Sequence, residues 1–446
     1  MSGQWAQEEL ASVQLGDERL KHRAVQLVQR LGDKPGASIP SACGHWAETA
    51  AAYRFLSNQR VSWQPVMDAH FKASQERMRQ HEVVLCIQDT TELDYSGCKQ
   101  TAGLGRLNYT ARRGLYLHPT YVVSPQREPL GIINAWSWAR EDKGEDGCSQ
   151  AVSESQRWIE SYERLAECAS ELGATRQVCV GDRESDLMAL LVMARDMDHV
   201  VDYLVRCQHN RVLPDGGKLW GAVMDSAPLG TIGFELPAGR GHKARHVQQE
   251  VRVQRVTLRD PQGQPLSVSC LIASEINTPQ GCTSVVWRLL TNRSATTLQE
   301  ALQLIEWYRA RWEIEQFFFI LKEGCKVEQL QLGDSQRLQT ALALYMLIAW
   351  RINRLMRLGR NCPELPADVA LDSQEWQAAY ILNRKPVPKQ VPPLNTVVRL
   401  IAQCGGFLAR KGDGEPGAKT LWQGMRDIAV FVRAARQLQL HKGTCV

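Results

Sequence analysis

The spacing of apolar residues divides the chain into a helical beginning, a strand-rich middle and a helical end. Near the start, apolar side chains recur every three or four residues from Leu20 to Leu31, with Asp17 in the N-cap position. This periodicity predicts an amphipathic helix, and the segment 45–58 predicts a second helix with aromatic anchors. A helical pattern returns over residues 395–446.

In the middle of the chain the pattern changes to short apolar runs bounded by glycine, proline and polar residues, which is typical of strands. We predict strands at 83–89, 115–124, 128–138, 177–182 and 199–206. Helices are predicted between the later strands, at 155–172 and 184–196. Residues from about 209 to 290 have the pattern of an antiparallel β-meander, which separates these strands from the last helix of the core. That helix is predicted from Thr297, in capping-box spacing with Glu300, to Gly324.

Early strands followed by alternating helix and strand have the order of a ribonuclease-H-like core. We therefore predict an α/β fold: a ribonuclease-H-like mixed sheet with a β-strand insertion, plus N-terminal and C-terminal helical domains. The predicted boundaries are 1–62 for the N-terminal helical domain, 63–360 for the ribonuclease-H-like domain with its insertion at about 209–290, and 361–446 for the C-terminal helical domain. A proline-rich stretch near residue 361 marks the second boundary.

The amino-acid composition argues against several classes of protein. With 44% hydrophobic and 23% charged residues in 446, the chain is an ordinary globular one, and its longest apolar runs are too short to span a membrane. Thirteen cysteines without a CxxC pair argue against a zinc ribbon or a disulfide framework. A net charge of +5 leans weakly toward polyanions. We expect reduced thiols in a cytoplasmic protein without a membrane partner.

Two predicted strands end on an aspartate, Asp89 and Asp182, and the carboxyl ends of strands are where α/β sites collect. Either residue alone is more often a helix cap or a turn former. A third acid, Glu315, lies on a helix that its own apolar residues direct onto the sheet. Three converging carboxylates repel each other and need a cation, and their hard oxygen ligands favour Mg²⁺ or Mn²⁺.

The segment YRARWEIEQFFFILK, 308–322, places Tyr308, Arg311, Glu315 and Lys322 within an arc of about 60° if it is one helix. One interpretation is a buried salt-bridge network that holds the helix on the sheet. The other is that Glu315 binds metal while Tyr308, Arg311 and Lys322 bind the phosphates of a nucleic acid. Two further acids at neighbouring strand ends favour the second interpretation.

These motifs resemble the IS-four family of bacterial DDE transposases, most closely its Tn-five (IS-fifty) branch. The family's Y-x₂-R-x₃-E-x₆-K motif matches Tyr308 to Lys322, and VVLCIQDTTELDY and CVGDRESD match its two aspartate segments. The N-terminal segment WAQEELASVQLGDERL and the C-terminal segment CGGFLARKGDGEPGAKTLWQGM are similar to the family's end-binding and dimerisation regions. The likeness therefore spans nearly the whole chain.

The resemblance implies roles for individual residues. Asp89, Asp182 and Glu315 would be the catalytic and metal-binding triad, holding two Mg²⁺ ions, with Mn²⁺ as a substitute. Trp287 would stack on a base flipped from the transposon end, with Arg206 near that nucleotide. The implied DNA-binding residues are Tyr308, Arg311, Lys322, Trp287, Arg206 and Arg23.

The resemblance implies a cut-and-paste transposase. It would bind inverted-repeat ends as a homodimer in a synaptic complex, cleave them through a hairpin intermediate and join them to target DNA. Two alternatives stay open: a ribonuclease-H-like nuclease without strand transfer, and a repressor that binds the ends without cutting. Phe319 departs from the family, whose nearest branch has a lysine there, and this bears on DNA contacts rather than on the triad.

Overall fold

The computed structural model describes residues 4–109, 111–140, 154–239 and 243–443. The α-helices are α1 Gln4–Glu9, α2 Glu18–Asp33, α3 Ile39–Cys43, α4 Trp46–Leu56, α5 Trp63–Met78, α6 Glu154–Ala169, α7 Met188–Asp196, α8 Leu219–Met224, α9 Leu298–Arg309, α10 Trp312–Phe319, α11 Ser335–Asn361, α12 Ser373–Leu382, α13 Leu394–Cys404 and α14 Ala418–Gly443. The strands are β1 Val83–Gln88, β2 Thr91–Asp94, β3 Gly105–Arg106, β4 Arg113–Val123, β5 Pro129–Trp138, β6 Arg176–Gly181, β7 Asp202–Arg206, β8 Gly230–Leu236, β9 Arg245–Arg259, β10 Pro265–Glu275 and β11 Val286–Thr291.

The strands of the described residues form one mixed sheet. Its core runs in the order β5, β4, β1, β6, β7, with β4 antiparallel to both of its neighbours and β6 parallel to β1 and β7. This strand order and direction confirm the predicted ribonuclease-H-like α/β fold. The predicted insertion does not stand apart, because β11 pairs with β7 and extends the same sheet through β10, β9 and β8.

The β1 and β2 strands pair with the same edge of β4, one after the other. Gln88 lies opposite Thr120, and Thr91 lies opposite Leu117, so the register continues unchanged across residues 89 and 90. Those two residues belong to neither strand, and they lie opposite Pro119 and His118. Pro119 has no N–H to donate to a ladder. The interruption falls at Asp89.

The helix predicted from Thr297 to Gly324 has its predicted start but is not continuous. Thr297 and Glu300 form the capping box. At Ala310 the backbone amide is shared between the carbonyls of Glu306 and Trp307, and the Arg311 amide bonds to Tyr308, so the helix tightens before α10 begins. A π-helical turn, Ile320–Gly324, ends the segment. The prediction of one uninterrupted helix was therefore wrong.

The helical parts pack on the sheet through α5 and α11. Most of α11 is buried against α5, α13 and β5. A buried ion cluster ties α1 to α5, since Glu9 accepts hydrogen bonds from Arg77 and pairs with His70. Phe319 of α10 contacts Trp422 of α14. No helix in the parts of the chain that the structure describes is long and apolar enough to cross a membrane.

Candidate active site

Two aspartates lie at the same edge of the sheet. The parallel register pairs Ile87 of β1 with Val180 of β6, so Asp89 and Asp182 follow two residues later on neighbouring strands. Asp89 Oδ1 accepts a hydrogen bond of 2.8 Å from the Thr90 amide. Asp182 Oδ1 accepts one of 2.8 Å from the Glu184 amide, so this residue does cap a short turn. Capping by one oxygen leaves the other available for a ligand.

Arg311 connects Asp89, which follows β1, to Glu315 of α10. Its Nη1 lies 2.6 Å from Asp89 Oδ2 and 3.5 Å from Glu315 Oε1. The Asp89 side chain is only 15% exposed, whereas the Glu315 side chain is 45% exposed. Arg311 therefore holds together two of the three predicted acids, one largely buried and one open to solvent.

The pKa of Asp89 is affected by the two other acids, which lie nearby. Burial raises the pKa of Asp89 from 3.8 to about 7, and the charge of Arg311 opposes the rise. The neighbouring carboxylates Asp182 and Glu315 raise this pKa further. The three acids thus converge closely enough to affect one another electrostatically, although they are far apart in the sequence.

The donor chemistry of this cluster fits a hard divalent cation, because the three side chains supply carboxylate oxygens. Arg311 acts as a stand-in cation, since its guanidinium group occupies one side of Asp89 and also faces Glu315. In the described ranges, however, no group of three acidic, histidine or cysteine side chains is spaced closely enough to hold a metal ion. Binding of one metal ion by all three acids would therefore require their side chains to move closer together.

Two more predicted residues lie beside the acids. Tyr308 is buried at the end of α9, and burial raises its pKa. The charges of Arg311 and Arg206 lower that pKa, and Arg206 also interacts with Tyr308 through its side chain. Arg206 reaches this position from the end of β7, where it lies opposite Leu289 of β11. The cations thus surround one side of the acidic cluster.

Lys322 lies farther along, in the π-helical turn, and faces the β2 side of the site. The pKa of Asp94 lies below its ordinary value even though burial raises it. Hydrogen bonds from Ser96 lower this pKa, and the charges of Arg112 and Lys322 lower it further. Lys322 therefore acts, together with Arg112, on Asp94 rather than on the ion pair of Arg311 and Asp89.

Trp287 lies on β11, half-buried and opposite Ala273 of β10. Its ring stacks on Phe234 of β8, with centroids 6.2 Å apart and an interplanar angle of 28°. Phe234 cannot be identified from the sequence, because the alternating pattern of β8 gives no signal that separates a stacking partner from an ordinary strand residue. The structure thus adds a second ring to the one the resemblance pointed out.

Arg23 lies in α2 among the N-terminal helices, away from the acidic cluster in the chain. Its Nη1 donates a 2.6 Å hydrogen bond to Glu48 Oε2. It also lines a surface pocket of about 590 Å³ together with Arg19, Arg54 and Arg60. This arginine-lined pocket, rather than Arg23 alone, is the basic feature of the N-terminal region.

Three family models match the chain in consecutive order. The transposase DNA-binding model matches residues 2–61, the transposase DDE domain model matches 152–351, and the transposase Tn5 dimerisation domain model matches 347–444. The DDE match includes Asp182 and Glu315, whereas Asp89 lies before its start. Together the matches give a DNA-binding part, a DDE domain and a dimerisation part in this order along the chain.

Among solved structures, the chain is similar to the piggyBac transposase synaptic complex with hairpin DNA, determined by cryo-electron microscopy. The alignment has 9% sequence identity and a TM-score of 0.33, and it covers 83% of this chain. The match spans 61% of the length of that chain. At this level the likeness carries no argument about function.

Proposed function

Because the chain belongs to the Tn5-like DDE transposases, we propose that it is a cut-and-paste transposase that cleaves and joins DNA at inverted-repeat ends. The observation that carries this proposal is the convergence of Asp89, Asp182 and Glu315 around the Arg311 guanidinium. In a buried salt-bridge network that only stabilises the fold, each charged group would be fully paired. Glu315, in contrast, remains substantially exposed.

The DDE domain implies the use of divalent metal ions. We propose Asp89, Asp182 and Glu315 as the residues that hold two Mg²⁺ ions, with Mn²⁺ as a substitute, which would polarise the scissile phosphodiester and stabilise its leaving oxygen. Arg311 would then leave Asp89 for a phosphate oxygen of the DNA, which is an equally suitable anionic partner. Its position between the acids supports this exchange, because a short movement takes it from one anion to the other.

The remaining cations and rings would hold the DNA strand. Tyr308 and Arg206 lie beside the acids and would bind the backbone next to the scissile phosphate, while Lys322 would bind it farther along. Trp287, supported by the ring of Phe234, would stack on a base that leaves the duplex. Stacking of this kind offsets the loss of base stacking in the duplex.

We propose that one site carries out every step of the reaction. Hydrolysis frees a 3′-hydroxyl, this hydroxyl attacks the opposite strand to form a hairpin, and the reopened end joins target DNA. Each step transfers a phosphoryl group to water or to a hydroxyl, so the same residues position the nucleophile and the leaving group each time.

The N-terminal and C-terminal regions would supply the partners. The arginine-lined pocket around Arg23 would grip the phosphates of an inverted-repeat end, and the C-terminal helices would join two chains in a synaptic complex. We place this activity in the bacterial cytoplasm, at the nucleoid. The three parts with boundaries near 62 and 360 would thus bind, cut and dimerise.

The test uses the full chain, Mg²⁺ and DNA that carries the element's own inverted-repeat ends, with products resolved on a denaturing gel. We expect nicked, hairpin and joined products from the wild type and none from Glu315→Gln, which keeps the shape of the side chain. Nicked products without hairpins or joining would indicate a nuclease. End binding without any cleavage would indicate a repressor and would contradict the proposal.

A further inference from the structure

The interruption of the ladder at Asp89 and Thr90 leaves this segment without the backbone pairing that fixes the residues on either side of it. Thr90 lies opposite His118 in the register, so their side chains project from the same face of the sheet. Asp89, one residue earlier, projects from the other face, where it meets Arg311. A side-chain contact therefore holds the interrupted segment on each face of the sheet: Asp89 to Arg311 on one face and Thr90 to His118 on the other.

The anchor on the Thr90 face is a hydrogen bond to a buried imidazole. Thr90 Oγ1 lies 2.8 Å from His118 Nδ1. The Thr90 amide in turn donates its 2.8 Å hydrogen bond to Asp89 Oδ1. A short chain of contacts thus runs from His118 through the side chain and backbone of Thr90 to the Asp89 carboxylate.

The surroundings of His118 keep its ring in one orientation. The side chain has no solvent exposure, and its ring meets Trp158 edge-on at 4.8 Å and Trp136 at 6.3 Å. Burial lowers the pKa of His118 to about 3, and the charge of Arg157 contributes, so the ring is neutral near pH 7. Its Nε2 has no hydrogen-bond partner among the residues that the structure describes. Thr90 is therefore the polar contact that accounts for a histidine at this position.

We propose that His118 and Thr90 are positioning residues that fix the orientation of the Asp89 carboxylate for metal binding. The wall of tryptophan rings holds the imidazole, the imidazole holds the Thr90 side chain, and the Thr90 amide holds Asp89 Oδ1. The carboxylate can then keep its direction while Oδ2 exchanges Arg311 for another partner. This inference rests on the proposed function, because it gives Asp89 a metal to bind.

Matched substitutions separate the hydrogen bond from the packing. Thr90→Val removes the hydroxyl and keeps the shape, whereas Thr90→Ser keeps the hydroxyl. His118→Phe removes the ring nitrogens, whereas His118→Asn retains a polar group near the position of Nδ1. The full-length proteins are titrated with Mn²⁺ and followed by electron paramagnetic resonance without DNA, and Asp89→Asn identifies the relevant site. Cleavage of end DNA and the melting temperature are measured in parallel.

We expect Thr90→Val and His118→Phe to weaken Mn²⁺ binding about tenfold or more, as is usual when a residue that orients a metal ligand is lost. Thr90→Ser and His118→Asn should bind nearly as well as the wild type. Equal Mn²⁺ binding by all these proteins, or the absence of any Mn²⁺ site that depends on Asp89, would overturn the positioning role. A wild type that binds Mn²⁺ through Asp89 but cuts no end DNA would instead contradict the proposed function.

Discussion

The ionisation of Asp89 gives a prediction that needs neither DNA nor metal. In the unfolded chain this carboxyl ionises at its ordinary pKa of 3.8, whereas in the folded protein the pKa is about 7. Between these values the unfolded chain has lost a proton that the folded protein retains. Stability therefore falls as the pH rises through this window, and the loss is complete above pH 7.

The size of the effect follows from the two pKa values. The interval from 3.8 to about 7 corresponds to about 4 kcal/mol of free energy of unfolding. This figure already includes the favourable charge of Arg311, because that interaction is part of the folded-state pKa. Asp89→Asn cannot ionise, so its stability relative to the wild type should increase by this amount between pH 4 and pH 8.

The assay is differential scanning calorimetry of the wild type and Asp89→Asn across this pH range, with EDTA present. We expect the difference between the melting temperatures of the variant and the wild type to increase by several degrees, in favour of the variant, as the pH rises. Asp94→Asn is the matched control, because hydrogen bonds from Ser96 keep the pKa of Asp94 below its ordinary value despite burial. Removing that carboxyl should not produce a gain in the same direction.

Two results would refute this reasoning. Melting curves of the wild type and Asp89→Asn that stay parallel from pH 4 to pH 8 would show that Asp89 ionises normally. A variant that becomes progressively less stable than the wild type at high pH would show that the Arg311 pair outweighs burial. Either result would remove the electrostatic evidence, from the raised pKa of Asp89, that Asp182 and Glu315 lie close to it.

Three further predictions concern the groups around the acids. Arg311→Gln removes the cation that favours ionised Asp89, so the pH at which the wild type loses stability should move upward in the same calorimetric experiment. Trp287→Ala should slow hairpin formation about tenfold while leaving first-strand nicking nearly unchanged, as measured by gel time courses. Lys322→Ala should reduce the slope of log affinity for end DNA against log salt concentration by about one, whereas Lys389→Ala, an exposed lysine in a C-terminal loop, should not change it.

Each of these predictions has a contradicting result. An unchanged or lower pH midpoint in Arg311→Gln would mean that Asp89 does not depend on that cation. Equal slowing of nicking and hairpin formation would reduce Trp287 to a packing residue beside Phe234. An unchanged salt slope in the Lys322 variant would remove this lysine from the phosphate contacts.

The strand ends could be predicted from sequence because buried strands are short, apolar and sharply bounded. The apolar run before Asp89 and the one before Asp182 both end where the structure ends β1 and β6. Their common level at one sheet edge follows from the parallel register, which the order of elements implied. The ribonuclease-H-like fold was predicted from the same local patterns.

The arrangement within the site could not be predicted in the same way. Arg311 contacts Asp89 across 222 positions of the chain, at the point where the helix tightens. The interruption of the ladder at Asp89 lies opposite Pro119 only in the folded register. Such details require contacts between residues that are distant in the chain.

We propose that Asp89, Asp182 and Glu315 form one metal site in which Arg311 takes the place of the metal until it binds. This proposal can be tested by anomalous scattering from crystals of the full chain equilibrated with Mn²⁺ at pH 8, where Asp89 is ionised. If the proposal is correct, manganese gives a peak at coordination distance from Asp89 and from at least one of the other two acids, with Arg311 moved away from Asp89. Manganese bound only elsewhere, with the Arg311 to Asp89 contact intact, would contradict it.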